Sequence, residues 1–487
     1  MRLRKCHLFM LALVVSNLFL LWYMTHVEEQ KVEIPDRGQA DVTIIIPEFE
    51  HFDNDIEETV RSAASLYSRA TILVLSETVP YPFLHLPAKL AKFVIPASNP
   101  TMPSYQSNPF YFIKTDYILV LPDGVRLKDE GVLEDLVWKL KETANQNVLV
   151  VPITSQLCTS IKVNLKLWSL RYAYVGADKN LCEALTGDVL ILFHKNIVQN
   201  FTEIFRPPFY ESFYIQAKLR DIKINVVSNE YVYPGKILFA NKHYKWKHDR
   251  NIESKKIGLY KRFGIKRVVN QEGVEKYYGC TKSTQRCFPT VLNVPYYLYE
   301  GRWTPPCCLN ALRETARHVF SMLEGYGLNY WLEGGSLLGA ARSGDIIPWD
   351  YDVDIGIFLN EVTNKSRFLA NIWNSQKLFD GKGFVWERAR EGDFIRVQYS
   401  ETNHLHVDIF PFYEKNGVMT KDTWFKSHRQ DMEFPAHFLK PLKRMPFIGI
   451  MALVPNNYEK FLELKFGKGV IDNPQYPFPE KLLGLSV

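Results

Sequence analysis

Three aspartates, Asp350, Asp352 and Asp354, stand at alternate positions in the otherwise apolar run DYDVDIGIF. Side chains alternate across a strand, so Asp352 and Asp354 share a face about 7 Å apart. Carboxylates held that close repel each other unless a cation lies between them, and a divalent metal relieves the conflict. Just upstream, Gly334 and Gly335 lack side chains and let a backbone approach a ligand. Ser336 then opens a helical run, SLLGAARSG, whose unpaired N–H groups favour phosphate. The chemistry implied is metal-assisted handling of a phosphate-bearing substrate.

Several elements must position these residues. LNYWLEGG reads as a strand entering a glycine turn, and DYDVDIGIF as the next strand. A helix with a glycine stop, CCLNALRETARHVFSMLEGYG, precedes them. A later strand, HLHVDIFPF, alternates and supplies Asp408, the natural third carboxylate or the acceptor of a proton from an attacking hydroxyl. Strand, Gly-Gly-Ser, helix, Asp-x-Asp strand resembles the nucleotidyltransferase fold, in which the glycine-serine turn holds the diphosphate and the acidic pair holds magnesium or manganese. Asp350 is placed either to touch that metal or to orient a turn. Arg342 is placed either to clamp a donor phosphate or to pair with Asp345 or Asp350. His404 and His406 share a face with Asp408, but beside an Asp-x-Asp pair a hard cation with oxygen ligands is the more economical reading.

Upstream, DVTIIIPEF, DIEETVRSAASLY, ATILVLSE and DYILVLPDGVRL alternate strand and helix patterns, which implies a mostly parallel, doubly wound α/β sheet. This opening resembles a nucleotide-sugar glycosyltransferase of the GT-A type. Where such enzymes carry a metal-binding acidic pair, however, Asp123 stands alone in LPDGV. One carboxylate holds a divalent ion poorly, so residues 41–279 read as a non-catalytic stem domain and 280–487 as the catalytic one. Residues 242–267, strongly basic, read as a solvated connector or as a patch for an anionic acceptor.

Residues 1–27 carry Arg2, Arg4 and Lys5 ahead of an uncharged run from Leu8 to Met24, the pattern of a signal anchor with the remainder lumenal. Residues 28–40 form a polar stem linker. The sequons at Asn200 and Asn364 fit a secretory location, Asn200 being the better glycosylation candidate. In an oxidising lumen Cys158 and Cys182 are placed to form a disulfide, while Cys6 stands apart at the cytoplasmic edge. Cys280, Cys287, Cys307 and Cys308 form a separate group, open to two disulfides or a four-thiolate zinc site. A net charge of +6 on 487 residues, with no nucleic-acid motif, gives no footprint for nucleic-acid binding.

The stretch LEGGSLLGAARSGDIIPWDYDVDIGIF resembles the LicD phosphocholine transferase family, whose pattern is approximately G-x-L-L-G-x-x-R, a spacer, then P-W-D-D-D-I-D. WTPPCCLNALRETAR, GDFIRVQYSETNHLHVDIFPFY, NGVMTKDTW and PNNYEKFLELKFG extend the likeness to the ribitol phosphate transferase branch of that family. Tyr351 departs from the broader pattern, which has aspartate there. The resemblance implies transfer of ribitol 5-phosphate from CDP-ribitol to a ribitol 5-phosphate on the O-mannosyl glycan of α-dystroglycan, releasing CMP. It also implies a single-pass type II Golgi membrane protein and a structural zinc at the four cysteines. A stem domain without catalysis suits self-association or acceptor binding. Two other readings stay open: an active glycosyltransferase in the N-terminal domain, and a non-catalytic scaffold that binds the glycan.

Overall fold

The computed structural model describes residues 41–482, except 97–100, 102, 144–146, 154–156, 176–181, 286–287, 292–293, 375 and 426–427. The expected anchor and linker, with Cys6, lie outside the described residues, as does Cys287. Among the described residues no helix is long and apolar enough to cross a membrane.

The chain divides into two compact units. The first takes the described residues of Met1–Ser155, Gly187–Arg206 and Lys223–Ala240. Its sheet has seven strands in the order Ile224–Val226, Val148–Pro152, Val189–His194, Tyr117–Val120, Val42–Ile46, Thr71–Leu75 and Lys92–Val94. Pairing is parallel except for Val189–His194, which runs against both neighbours. The strand Val42–Ile46 is buried throughout, as a central strand covered on both faces requires. DYILVLPDGVRL, read as one strand, is two, Tyr117–Val120 and Val125–Leu127, with Asp123 in the turn between.

The second unit takes Gln156–Thr186, Pro207–Ile222 and Asn241–Val487. The expected boundary at residue 279 falls inside this unit. The reason is a sheet that ties the middle of the chain together, in the order Glu275–Tyr277, Arg267–Val269, Ser169–Tyr174, Cys158–Asn164 and Ala184–Leu185. Helix Phe209–Lys218 packs on this sheet. The basic segment is mostly one helix, Lys242–Phe263, capped by the Asn241 side chain and stopped by left-handed Gly264. Only Leu259 and Tyr260 of that helix are buried.

The remainder of this unit is built on helix α1 (Pro306–Gly325), strand β1 (Tyr330–Leu332), helix α2 (Gly334–Ser343) and strands β2 (Val353–Phe358), β3 (Leu378–Phe379), β4 (Val385–Arg388), β5 (Ile395–Gln398), β6 (His406–Lys415), β7 (Val418–Thr420) and β8 (Phe434–Pro435). Helix α3 (Tyr458–Phe466) follows. The sheet order is β1-β2-β6-β5-β4-β3, with β7 pairing to β6 and β8. Strands β2 and β6 are parallel neighbours in a register that sets Asp354 beside Asp408, while antiparallel β5 sets Arg396 against Asp408. One face of β2, Val353, Ile355 and Ile357, is fully buried. Helix α1 packs on β5 and β6 and buries Cys308, Ala311, Leu312, Thr315, Ala316, Val319 and Leu323, the stripe its helical spacing requires. Asp354 is thereby directed to the opposite face. Gly356 on that face lies opposite Trp331 in register, and a Cβ there would fall 2.2 Å from the indole.

Candidate active site

Asp352, Asp354 and Asp408 line one cavity of about 340 Å³, together with Gly334, Gly335 and Tyr351. Asp352 lies just before β2 and Asp354 just inside it. Helix α2 begins at Gly334, two residues earlier than its sequence suggests, after Glu333. Gly334 has φ +50°, a conformation that favours glycine. A Cβ on Gly335 would lie 2.6 Å from Asp350 Oδ2, so this position also needs a bare backbone.

Ser336 is buried, and its hydroxyl accepts the Asp354 backbone N–H at 2.9 Å. It fixes the strand carrying the carboxylate and does not itself line the cavity. Arg342 is likewise directed elsewhere, donating to the carbonyls of Ile471 (3.2 Å) and Val470 (2.6 Å). The expectation that it clamps a donor phosphate is corrected on that ground. Its alternative partner Asp345 is held by Arg313 through two bonds of 2.9 and 2.8 Å.

Electrostatically the cavity is acidic. Burial first, and then the charge of Asp352, pushes the Asp350 carboxyl well above the usual range. Asp354 is raised in the same way by burial and then by Asp352, Asp408, Asp350 and Glu333. Asp352 rises chiefly through burial, with His406 opposing and Asp408 adding to the shift. Six carboxylates line the cavity against three permanent cations, Arg396, Lys421 and Lys465. Such an excess in a half-enclosed space fits a divalent cation with oxygen ligands.

The three cations were not singled out in the sequence, and each is paired. Arg396 grips Asp408 with Nε to Oδ1 and Nη2 to Oδ2, both 2.8 Å, and its Nη1 meets Glu391. Burial opposes the Arg396 charge, but Asp408 outweighs it and holds the guanidinium pKa above its ordinary value. Lys421 is buried, 2.7 Å from Asp431, with its ammonium 4.1 Å from the Phe410 ring centroid. Lys465 meets Glu333, which also accepts from Trp331 Nε1 at 3.0 Å. The signal available beforehand was the alternation of apolar Ile395 and Val397 with polar Arg396 and Gln398, the pattern of a strand.

His406 lines the cavity, with Nδ1 donating to the His404 carbonyl at 2.9 Å and Nε2 3.7 Å from Asp408 Oδ2. His404 turns to Gln398 and is not among the lining residues. Asp350 stands behind Gly335, its Oδ1 accepting the Tyr351 N–H at 3.0 Å.

Cys158 and Cys182 form a disulfide with an S–S distance of 2.07 Å. The sulfurs of Cys280, Cys307 and Cys308 lie within 4.8 Å of one another, with Cys280 and Cys307 bonded and Cys308 3.3 Å from Cys280. Asn200 and Asn364 are both exposed. Asp123 in the first unit is occupied by backbone: Asp55 N–H donates to both its oxygens at 3.1 and 3.0 Å. Burial raises its pKa to about 6, against the lowering effect of the Asp55 and Gly124 amides.

Comparison with known proteins divides the chain by sequence into two consecutive stretches. Residues 28–271 match the fukutin-related protein stem domain, and residues 327–457 the LicD/FKTN/FKRP nucleotidyltransferase domain. The human protein named ribitol 5-phosphate transferase FKRP is 42% identical over 495 residues, covering 99% of each chain. The ribitol-5-phosphate transferase FKTN of Macaca fascicularis is 25% identical over 32% of this chain and 33% of that protein. Among solved structures, the lincosamide antibiotic adenylyltransferase LnuA is 16% identical and covers 36% of this chain and 97% of that one, at a TM-score of 0.22 that carries no weight here.

Proposed function

The chain belongs to the fukutin-related protein family, and from that premise we propose its reaction in full. It is a ribitol 5-phosphate transferase. The donor in this reading is CDP-ribitol, the acceptor a ribitol 5-phosphate already on the O-mannosyl glycan of α-dystroglycan, and the leaving group CMP. The observation that carries the reading is the convergence of Asp352, Asp354 and Asp408 beside the bare backbone of Gly334 and Gly335.

Asp352 and Asp354, with Asp408 completing the set, would hold magnesium or manganese. When bound, such an ion neutralises the diphosphate and steadies the charge on the departing CMP. The chain's own residues do the rest. Gly334 and Gly335, at the start of α2, line the cavity, and the unpaired N–H groups of a helix start would suit the phosphate oxygens there. Ser336 keeps Asp354 in place through its backbone. His406 donates Nδ1–H to a carbonyl, so in the neutral ring Nε2 carries the lone pair. That makes His406 a base for the attacking hydroxyl, whereas Asp408 is committed to the metal set.

The same reading gives the chain a single N-terminal Golgi membrane span with the catalytic unit lumenal, N-glycosylation at Asn200, and self-association through the stem. In this reading Cys280, Cys287, Cys307 and Cys308 would hold a structural zinc as four thiolates, in place of the bond between Cys280 and Cys307. One zinc per purified chain, lost in Cys308→Ser, is the expected metal analysis. The deciding experiment for function is CMP release from CDP-ribitol with manganese and a ribitol-phosphate-bearing glycopeptide. Release that depends on acceptor and vanishes in Asp352→Asn is expected; release unchanged in that variant would sink the assignment.

A further inference from the structure

We propose that Arg396 is an exchangeable counter-ion: it neutralises Asp408 while no metal is present, and turns its guanidinium to substrate phosphate once a divalent cation takes over that carboxylate. This rests on the reading that the cavity holds such a cation.

The geometry begins with strand register. Arg396 on β5 is directly opposite Asp408 on β6, and Asp354 on β2 is directly beside Asp408 on the other side. Asp408 therefore stands between a permanent cation and a cluster of carboxylates. Arg396 spends two of its three nitrogens on Asp408, as a fork with both bonds at 2.8 Å, and the third on Glu391. A metal shared by Asp352, Asp354 and Asp408 would draw charge from the oxygens that the fork now holds. Metal and guanidinium then compete for one carboxylate, and two positive charges in a small space repel each other. The competition has a ready outlet. Arg396 lines the same cavity as Gly334 and Gly335, and a planar guanidinium suits a phosphate as well as a carboxylate. Glu391 supplies the tether, so release from Asp408 does not require release from the wall. Lys421 and Lys465 differ in this respect, because their partners Asp431 and Glu333 are not in the proposed ligand set.

The test is manganese binding to the full-length protein in detergent, by calorimetry or electron paramagnetic resonance, without donor. Arg396→Gln should tighten manganese binding by about tenfold, because the competitor for Asp408 is gone. Lys421→Met removes a cavity cation that does not compete for Asp408 and should tighten it by less than about threefold. Affinity unchanged or weakened in folded Arg396→Gln, or an equal gain in both variants, overturns the exchange. Arg396→Lys is the second variant, since it keeps the charge. It should leave manganese affinity within about threefold while raising KM for CDP-ribitol about tenfold, because an ammonium cannot form the fork. Unchanged KM in this variant overturns the phosphate role. Manganese titration needs no turnover, so a chain that binds the metal yet transfers no ribitol phosphate still decides the exchange; binding by none of the variants or the parent overturns both readings.

Discussion

Asp123 in the first unit and Asp354 in the second are both half-buried carboxylates beside a helix N-terminus and a glycine, yet their surroundings are opposite. Asp123 receives the Asp55 N–H on both oxygens and the Thr59 hydroxyl on one, and its acidic neighbour Asp55 is neutralised by Arg126. Asp354 faces Asp352, Asp408, Asp350 and Glu333. A carboxylate supplied with donors is occupied by the fold, whereas carboxylates supplied with one another are left with a demand only a cation meets. The two sites teach that an aspartate's chemistry is set by its neighbours' sign more than by its burial.

The largest expected effect is at the carboxylate cluster. Asp352→Asn should lower acceptor-dependent CMP release by about 10³-fold or more, since phosphoryl transfer relies on charge stabilisation. The same change should leave the metal-free melting temperature equal or higher, because it removes a like-charge neighbour. A lower melting temperature would show Asp352 to be occupied by the fold, as Asp123 is. Next comes Gly335→Ala, whose Cβ would meet Asp350 Oδ2 at 2.6 Å. A loss of about 100-fold in kcat is expected from that displacement. Ser336→Ala should cost about 1–2 kcal/mol in urea unfolding and about tenfold in turnover, because the Asp354 N–H loses its acceptor.

Smallest for catalysis is Asp123→Asn, with turnover expected within about twofold of the parent. Its signature is in stability. The folded carboxyl titrates at about 6 and the unfolded one at the ordinary 3.8. Between those values the unfolded chain has released a proton that the folded chain still binds, so this group makes stability fall as pH rises from about 4 to about 6. Above that the contribution is level. Urea midpoints across this range should lose that slope in Asp123→Asn; loss of CMP release instead would restore a catalytic role to the first unit.

Much of this was legible in the residues. Alternation in DYDVDIGIF and HLHVDIFPF put Asp352, Asp354 and Asp408 where strands could present them together, and the parallel register of β2 and β6 brings them to one cavity. The solitary Asp123 reads as a poor metal site, and the structure gives its oxygens to the Asp55 N–H. Long-range partnership was less readable. Nothing local joins Arg342 to the carbonyls of Val470 and Ile471, more than 120 residues away. Nor does local pattern show that residues 156–186, 207–222 and 241–279 belong with the second unit, because a sheet order is set by tertiary packing. Arg396 was not singled out: neither its strand, Ile395–Gln398, nor its register against Asp408 was read from the residues.

The pairing of Asp354 with Asp408 has a consequence for how faults in this molecule would show themselves. The two residues are brought side by side by parallel strands whose connection runs from Leu359 to Leu405, so that whole stretch must fold before a site exists at all. A substitution along it that slows strand docking and spares the cavity residues Glu391 and Arg396 would lower the yield of competent molecules while leaving each survivor at full speed. Measured in a cell extract, that would look like an enzyme defect; measured per folded molecule, it would vanish, and the useful remedy would be one that helps the chain finish folding.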